Sequence, residues 1–233
     1  MSDLHDMARP HWEMPVYEQK VLTNGVKFNY YDCDVCVSVS GGIDSALLLY
    51  NVALHSPRKI HVYTLANNDL ILKNVVAATA VVNKVRELTD NPNIYHTVMH
   101  MPGSKPNGGE VIGYRMREHY GKDLEVCYMG VTQNPPLEVM ETWNVDNWSH
   151  PYRDNTTAEF EVLPNVGKIY MPWTNVHKRH ISAIYRSQGI LETLFPVTYS
   201  CEWYAKDGND PGMKHCENCW WCEERYWGFN RYV

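Results

Sequence analysis

The chain lacks the features that would place it in a membrane or on nucleic acid. It contains no run of about 18 apolar residues that could span a bilayer. It also shows no N-terminal basic segment followed by an apolar stretch and a small-residue cleavage site. Its formal net charge of −6 argues against bulk attraction to phosphate backbones, and hence against direct nucleic-acid binding. We therefore expect a soluble cytoplasmic protein with no membrane partner.

Repeats, low-complexity tracts and long charge runs are also missing from the 233 residues. A chain of this length can bury one enzyme-sized core plus an appendage. We predict an α/β domain over residues 1–170 and a small helical region over 171–233 that binds a metal and packs on that domain.

The seven cysteines are odd in number and unevenly spaced. In an intracellular chain such a set does not predict a disulfide framework, so a cluster indicates metal binding or catalysis. Four of them crowd near the C-terminus: Cys201, Cys216, Cys219 and Cys222. Four thiolates satisfy the tetrahedral preference of Zn²⁺ and leave no open position, which predicts a structural zinc site. Free thiols, or a redox pair at Cys216 and Cys219, are the alternatives.

Strand and helix patterns alternate along the first half of the chain. A hairpin is predicted over 17–31 because Asn24-Gly25 favours a type I′ turn. Cys33 and Cys36 are interpreted as packing cysteines, because they point to opposite faces of an extended segment. The remaining pattern predicts strands over 35–40, 60–65, 93–99 and 124–129, helices over 44–55, 69–88 and 111–120, and a long loop over 131–159. This order predicts a mostly parallel sheet flanked by helices.

The stretch Ser40-Gly-Gly-Ile-Asp-Ser45 changes the pattern from a β-branched strand to a Leu-rich helix. Backbone N–H groups at such a helix start favour an anion, and paired glycines let the backbone approach it closely. The hydroxyls of Ser40 and Ser45 can add donors, and Asp44 can either cap the helix or hold Mg²⁺. These residues predict a phosphate cradle, although the Walker lysine is absent.

These residues resemble the S-G-G-x-D-S signature of the PP-loop ATP pyrophosphatase superfamily. The resemblance implies an adenine nucleotide α-hydrolase-like fold and cleavage of ATP between its α- and β-phosphates, with adenylation of a substrate oxygen. It also implies that Ser40, Gly41, Gly42, Ile43, Asp44 and Ser45 bind the nucleotide, and that Asp44 and Ser45 contribute to catalysis.

Together, the phosphate loop and the C-terminal cysteines look like the 7-cyano-7-deazaguanine synthase family. The segment 171–181 matches that family's Pro, then Lys-x-x-Ile order, and 198–201 matches its T-x-S-C motif. The resemblance implies an ATP-dependent ligase that converts 7-carboxy-7-deazaguanine and ammonia to the amide and then the nitrile, with ATP, Mg²⁺ and Zn²⁺ as cofactors. Lys178 is then a candidate catalytic residue that neutralises phosphate charge, the alternative being a solvated helix lysine. A homodimer is compatible with this interpretation.

Two segments depart from the family pattern. Residues 65–70 read Leu-Ala-Asn-Asn-Asp-Leu where the family has a Gln- and His-containing segment, and 149–154 are only a loose echo of its base-contacting loop. Alternatives are therefore a divergent member that stops at the amide or uses another carboxylate, a tRNA-modifying sulfur transferase, a sulfonucleotide reductase, or a noncatalytic nucleotide-binding protein.

Overall fold

The computed structural model describes residues 16–67, 71–101, 126–143, 145, 160–163, 167–201 and 213–233. Its strands are β1 (Val16–Val21), β2 (Lys27–Tyr31), β3 (Val35–Ser38), β4 (Ile60–Asn67), β5 (Ile94–Met101), β6 (Val126–Tyr128), β7 (Phe160–Leu163) and β8 (Gly167–Tyr170). Its helices are α1 (Ile43–His55), α2 (Ile71–Thr89), α3 (Leu137–Met140), α4 (Lys178–Ser187) and α5 (Trp220–Phe229). Short 3-10 helices span Thr23–Gly25 and Phe195–Val197.

In the described part of the chain, the main sheet has six strands in the order β5-β4-β3-β6-β8-β7. The first five of these run parallel, and β7 pairs antiparallel with β8 at one edge. The prediction of a mostly parallel sheet flanked by helices is confirmed. Because the chain moves outward from β3 to β5 and then returns to the other side of β3 with β6, the order reverses between β3 and β6. In sheets of this kind, ligands bind in the crevice at the carboxyl ends of the strands beside such a reversal.

Several predicted elements are present with small changes at their ends. The helix predicted over 44–55 spans Ile43–His55, the helix predicted over 69–88 spans Ile71–Thr89, and the strand predicted over 93–99 spans Ile94–Met101. The predicted helix over 111–120 lies outside the described residues, as do positions 124–125 of the predicted strand over 124–129.

The hairpin β1–β2 is antiparallel as predicted, but its turn is different. A type I′ turn is wrong here, because the connection is the 3-10 helix Thr23–Gly25, closed by the Leu22 amide donating to the Val26 carbonyl at 2.7 Å. Only the glycine of the Asn-Gly pair takes a positive φ, of 77° at Gly25. The longer connection shifts the turn geometry without changing the pairing of the two strands.

The strands β7 and β8 are not among the predicted strands. Each has only four residues, and β8 holds Lys168, which is buried next to the aromatic ring of Tyr31. The carboxyl end of β8 leads through a turn to α4, so this unpredicted strand sets where α4 begins.

The main hydrophobic core of the described residues includes side chains of the sheet and of the helices packed on it. Helix α1 is almost entirely buried in it, with four consecutive apolar residues, Ala46 to Leu49, each fully buried. Residues C-terminal to position 170 belong to the same core, among them Ile181, Tyr185 and Phe229. The division of the chain into regions 1–170 and 171–233 stays a prediction. Among the described residues, no helix is long and apolar enough to cross a membrane.

The hairpin is attached to the sheet by a group of aromatic rings around Phe28, which is fully buried. The Phe28 ring lies 5.3 Å from that of Trp173 and 5.8 Å from that of Tyr128, measured between centroids. The Tyr128 hydroxyl donates to the Asn29 carbonyl at 2.8 Å, which fixes β2 against β6. Stacked rings with a satisfied hydroxyl anchor the hairpin more firmly than apolar contact alone.

We expect Phe28→Ala to lower the free energy of unfolding by about 3–5 kcal/mol, because it leaves a cavity among these rings. The control is Tyr17→Ala on the same hairpin, where 56% of the residue is exposed and the change should stay within about 0.5 kcal/mol. Urea denaturation followed by far-UV circular dichroism measures both variants. Equal losses in the two variants would contradict this account of the hairpin's attachment.

Candidate functional site

The loop between β3 and α1 lies at the carboxyl end of β3, next to the reversal of strand order. The serine side chains of this loop contact each other across its turn. The Ser40 amide donates to Ser45 Oγ at 3.3 Å, and Ser45 Oγ donates to the Gly42 carbonyl at 3.1 Å. The two serine Oγ atoms are 3.3 Å apart. These contacts hold the loop closed around the start of α1, whose first amides have no partner within the helix.

Gly41 is required both by its backbone conformation and by its surroundings. Its φ of 87° is one that L side chains rarely adopt. A Cβ at this position would lie 2.5 Å from Ala77 Cβ and 2.7 Å from the Ala78 amide nitrogen in α2. The first glycine of the pair therefore allows the loop to rest directly on α2.

Two other glycines bring backbone segments close to the start of α1. Gly42 is the N-cap residue of α1, and its own lack of a side chain means that no side chain caps the helix there. Gly130, just after β6, approaches the helix so closely that a Cβ would lie 3.1 Å from the Ser45 amide nitrogen. The helix start thus lies between the ends of β3 and β6, where partial positive charge favours an anion.

Asp44 does not cap the helix, which corrects one of the two roles considered for it. It is the second residue of α1, and its carboxylate pairs with the ammonium of Lys178. Lys178 is the first residue of α4, and only 4% of it is exposed. The interpretation of Lys178 as a solvated helix lysine is therefore wrong.

Lys178 has two further polar neighbours. Its Nζ lies 3.4 Å from Thr132 Oγ1 and 3.5 Å from Glu224 Oε2. Glu224 belongs to α5 and is 1% exposed. The ammonium is therefore surrounded by side chains from three parts of the chain: the start of α1, the segment after β6, and the C-terminal helix.

The T-x-S-C segment predicted from the sequence contacts the phosphate loop. The Tyr199 amide donates to the Gly41 carbonyl at 2.8 Å, and Ser200 lies across from Gly42. This segment is held by Arg225 of α5, which is fully buried and donates to Thr198 Oγ1 at 2.9 Å and to Ser200 Oγ at 3.3 Å. Burial lowers the pKa of Arg225 to about 10, so it remains cationic at neutral pH.

The four C-terminal cysteines come together as predicted. Their sulfurs all lie within 4.8 Å of one another, with Cys216 and Cys222 3.9 Å apart and Cys219 and Cys201 4.0 Å apart. A tetrahedral zinc site with Zn–S bonds of ~2.3 Å places its sulfurs ~3.8 Å apart, so the donor set could hold Zn²⁺. Without a cation, the hydrogen bond with Cys201 raises the pKa of Cys219 to about 12. A bound metal would supply the charge that stabilises the thiolates.

A cavity joins the loop, Lys178 and the cysteine cluster. Both Ser40 and Gly42 of the loop line it, together with Cys201 and Trp221 of the cysteine region. Asp44, Lys178 and Glu224 also line this cavity. A second cavity continues from the loop toward Met129 and Val131 at the end of β6. The loop residues and the four-cysteine cluster therefore line a common cavity.

Cys36 is not part of this site. Cys36 is buried beside Cys127, its register partner on β6, away from the C-terminal cysteines. Burial raises the pKa of the Cys36 thiol, as expected for a packing cysteine. The segment 149–154, which differs from the family's base-contacting loop, lies outside the described residues.

Sequence reasoning missed three groups of this site: Glu224, Thr132 and Gly130. The one local signal was the position of Glu224, two residues after Cys222, on a helix whose N-cap is Cys219 and whose first turn contains Cys222. Thr132 lies in the segment predicted as a long loop over 131–159, and Gly130 lies just before it, after the strand predicted over 124–129. Their roles depend on contacts with residues far away in the sequence.

Comparison with known proteins gives a distant likeness. No family model matches the chain, and no curated protein matches it. Among solved structures it is similar to an NH3-dependent NAD synthetase from Campylobacter jejuni subsp. jejuni NCTC 11168 in complex with the nitrate ion, at 12% sequence identity and a TM-score of 0.40. The match covers 70% of this chain and 66% of that chain, which is just under two thirds of the latter. A similarity this low does not assign an activity.

The pair Gly41→Ala and Gly25→Ala separates strain from steric conflict. Both glycines have positive φ, but a Cβ at Gly25 meets nothing within 4 Å. We expect Gly25→Ala to cost about 1–2 kcal/mol of unfolding free energy, and Gly41→Ala to cost at least ~2 kcal/mol more because α2 must move. Urea denaturation measures both. Equal costs would contradict the close contact of the loop with α2.

The cysteine cluster predicts about one zinc ion per chain in the purified protein. Cys219→Ser should lose this metal and lower the melting temperature by about 5–10 °C, because the metal stabilises the folded region. Metal analysis and thermal denaturation measure both effects. Cys33→Ser is the control and should keep its zinc. A Cys219→Ser protein with full zinc content would show that the cluster is not the metal site.

Proposed function

We propose that this chain is an ATP-dependent ligase of the PP-loop ATP pyrophosphatase type, which activates a carboxylate as its adenylate and aminates it with ammonia. The observation that carries the proposal is the buried pair of Lys178 and Asp44 at the start of α1, within the S-G-G-x-D-S loop. The T-x-S-C segment bonded to that loop supports the same assignment. The finer proposal, from the family resemblance, is that the carboxylate is 7-carboxy-7-deazaguanine.

In this proposal the loop binds the phosphates of ATP. Backbone N–H groups at the start of α1 and the hydroxyls of Ser40 and Ser45 donate to phosphate oxygens, and Gly41 and Gly42 leave room for them. Lys178 stabilises the charge that develops on the departing pyrophosphate. Asp44 is the acidic group of the loop and would hold the Mg²⁺ that accompanies ATP, which supplies charge neutralisation on the phosphates.

A carboxylate oxygen is a poor leaving group, so the substrate carboxylate must be activated before ammonia can displace that oxygen. A substrate carboxylate oxygen bonds to the α-phosphorus while the bond to the β-phosphate oxygen breaks, which releases pyrophosphate. Ammonia then bonds to the activated carbon, AMP leaves and the nitrogen loses a proton, giving the amide. A second activation of the amide oxygen, followed by loss of AMP and a proton, gives the nitrile. The residues named above position and stabilise charge, so no protein nucleophile is needed.

An amination fits the cavity better than a sulfur transfer. Of the described residues that line the cavity, the cysteine is Cys201, which belongs to the four-cysteine cluster. A thiolate bound to a structural metal is not available to carry sulfur. The proposed zinc is therefore structural, and a homodimer with small-molecule substrates completes the proposal.

The proposal predicts ATP cleavage that depends on an acceptor. Purified protein is incubated with ATP, Mg²⁺, ammonium and 7-carboxy-7-deazaguanine, with AMP and pyrophosphate quantified and the base followed by mass spectrometry. We expect stoichiometric AMP and pyrophosphate with conversion of the base to the amide or the nitrile. Asp44→Asn should lower the rate by about 100-fold or more, because the acidic group of the loop is lost.

Asp32→Asn is the matched control, since Asp32 is an exposed acid that pairs with Arg58, and its rate should equal that of the wild type. Amide as the final product would indicate an enzyme that stops after one amination. AMP release with other carboxylates but not with the deazaguanine would reject the substrate and keep the ligase. ATP binding without any AMP release, in folded and zinc-loaded protein, would indicate a noncatalytic nucleotide-binding protein.

A further inference from the structure

Glu224 is a buried acid that the proposed mechanism does not use. It lies in α5, 1% exposed, with its Oε2 3.5 Å from Lys178 Nζ. Burying a carboxylate is costly unless it is paired, and the neighbouring ammonium supplies that pair. Glu224 also lines the cavity that Ser40 and Gly42 of the loop line. From this position, its charge acts on the ammonium of Lys178.

We infer that Glu224 is a positioning residue of the proposed ATP site: it holds the ammonium of Lys178 in place against the phosphate loop from the side of the C-terminal helix. This inference rests on the proposed function. It assigns a role to α5 and the cysteine region beyond folding, because they orient a catalytic group.

The ammonium of lysine has three donor hydrogens. Among the described residues, it contacts an oxygen of each of Asp44, Thr132 and Glu224. The contact with Asp44 is the shortest, whereas those with Thr132 and Glu224 are 3.4 and 3.5 Å long. Long contacts are weak as hydrogen bonds, so Glu224 acts mainly through its charge. Glu224 limits the sideways movement of the ammonium. Because its contact with the ammonium is weak as a hydrogen bond, an N–H group of Lys178 can still donate to a phosphate oxygen.

The backbone of α5 reinforces this position. Gly228 lies one helical turn after Glu224, and a Cβ there would be 2.5 Å from Lys178 Cβ. The helix therefore contacts the stem of Lys178 directly while Glu224 contacts its head. Because α5 begins with the cysteines of the metal cluster, the position of Glu224 is fixed by the same region that carries Cys219 and Cys222.

The test is Glu224→Gln in the full chain, which removes the charge and keeps the size of the side chain. We measure kcat and KM for ATP with the acceptor and ammonium, the Kd of α,β-methylene-ATP with Mg²⁺, zinc content, and melting temperature. We expect kcat to fall by about 10-fold or more, because Lys178 acts on charge that develops in the transition state. The analogue Kd should change by less than about threefold, and zinc should be retained.

Two further variants separate positioning from a merely structural role. Glu224→Asp restores the charge on a shorter side chain and should recover part of the lost kcat. Glu223→Gln is the matched control, since it removes the same charge from the preceding residue of the same helix, and its kcat should equal that of the wild type.

Wild-type kcat in folded Glu224→Gln overturns the inference, and so does an equal loss of kcat in Glu223→Gln. If Glu224→Gln does not fold, Glu224→Asp carries the test: a kcat equal to that of the wild type in this shortened variant overturns the inference, and a reduced kcat with zinc and analogue binding intact supports it. Absence of AMP release by the wild-type protein overturns the proposed function itself, and with it this inference, so the two failures are distinguished by the wild-type measurement.

Discussion

The buried ammonium of Lys178 is the contact on which the site depends. An isolated charge inside a protein is strongly unfavourable, so its burial requires acids and hydroxyls to converge on it. Asp44 supplies one acid from the phosphate loop and Glu224 supplies the other from α5. This one group therefore links the parallel sheet, through the start of α1, to the C-terminal region that carries the cysteine cluster.

Close backbone contact is the second requirement of this arrangement. Three glycines provide it: Gly41 lets the loop rest on α2, Gly130 lets the end of β6 approach α1, and Gly228 lets α5 contact Lys178. A Cβ at Gly41 or Gly228 would lie 2.5 Å from its nearest neighbour and would force the surfaces apart, and a Cβ at Gly130, at 3.1 Å, would require a smaller shift. Such a shift would lengthen contacts that are already 3.4–3.5 Å at Lys178. The site therefore depends on small residues as much as on charged ones.

The fold was predictable where the local pattern was strong. Helix α1 and the strands β3 to β5 have mainly apolar or β-branched sequences bounded by polar segments, so their order and the parallel sheet could be predicted. The strands β7 and β8 could not, because each has four residues and β8 buries Lys168. Pairing with β6, rather than intrinsic preference, makes β8 a strand. The turn at Gly25 differs from the predicted type I′ turn for a similar reason, because the geometry of the whole hairpin determines the length of the connection.

The sequence by itself determined the S-G-G-x-D-S motif and the set of four C-terminal cysteines, because both depend on residue types at spacings that the chain keeps however it folds. Only the tertiary structure decided that Lys178 is buried, that Glu224 and Thr132 surround it, and that the Tyr199 amide bonds to Gly41. These contacts join residues 46 to 158 positions apart. Their partners are chosen by the packing of helices on the sheet, which no local pattern encodes.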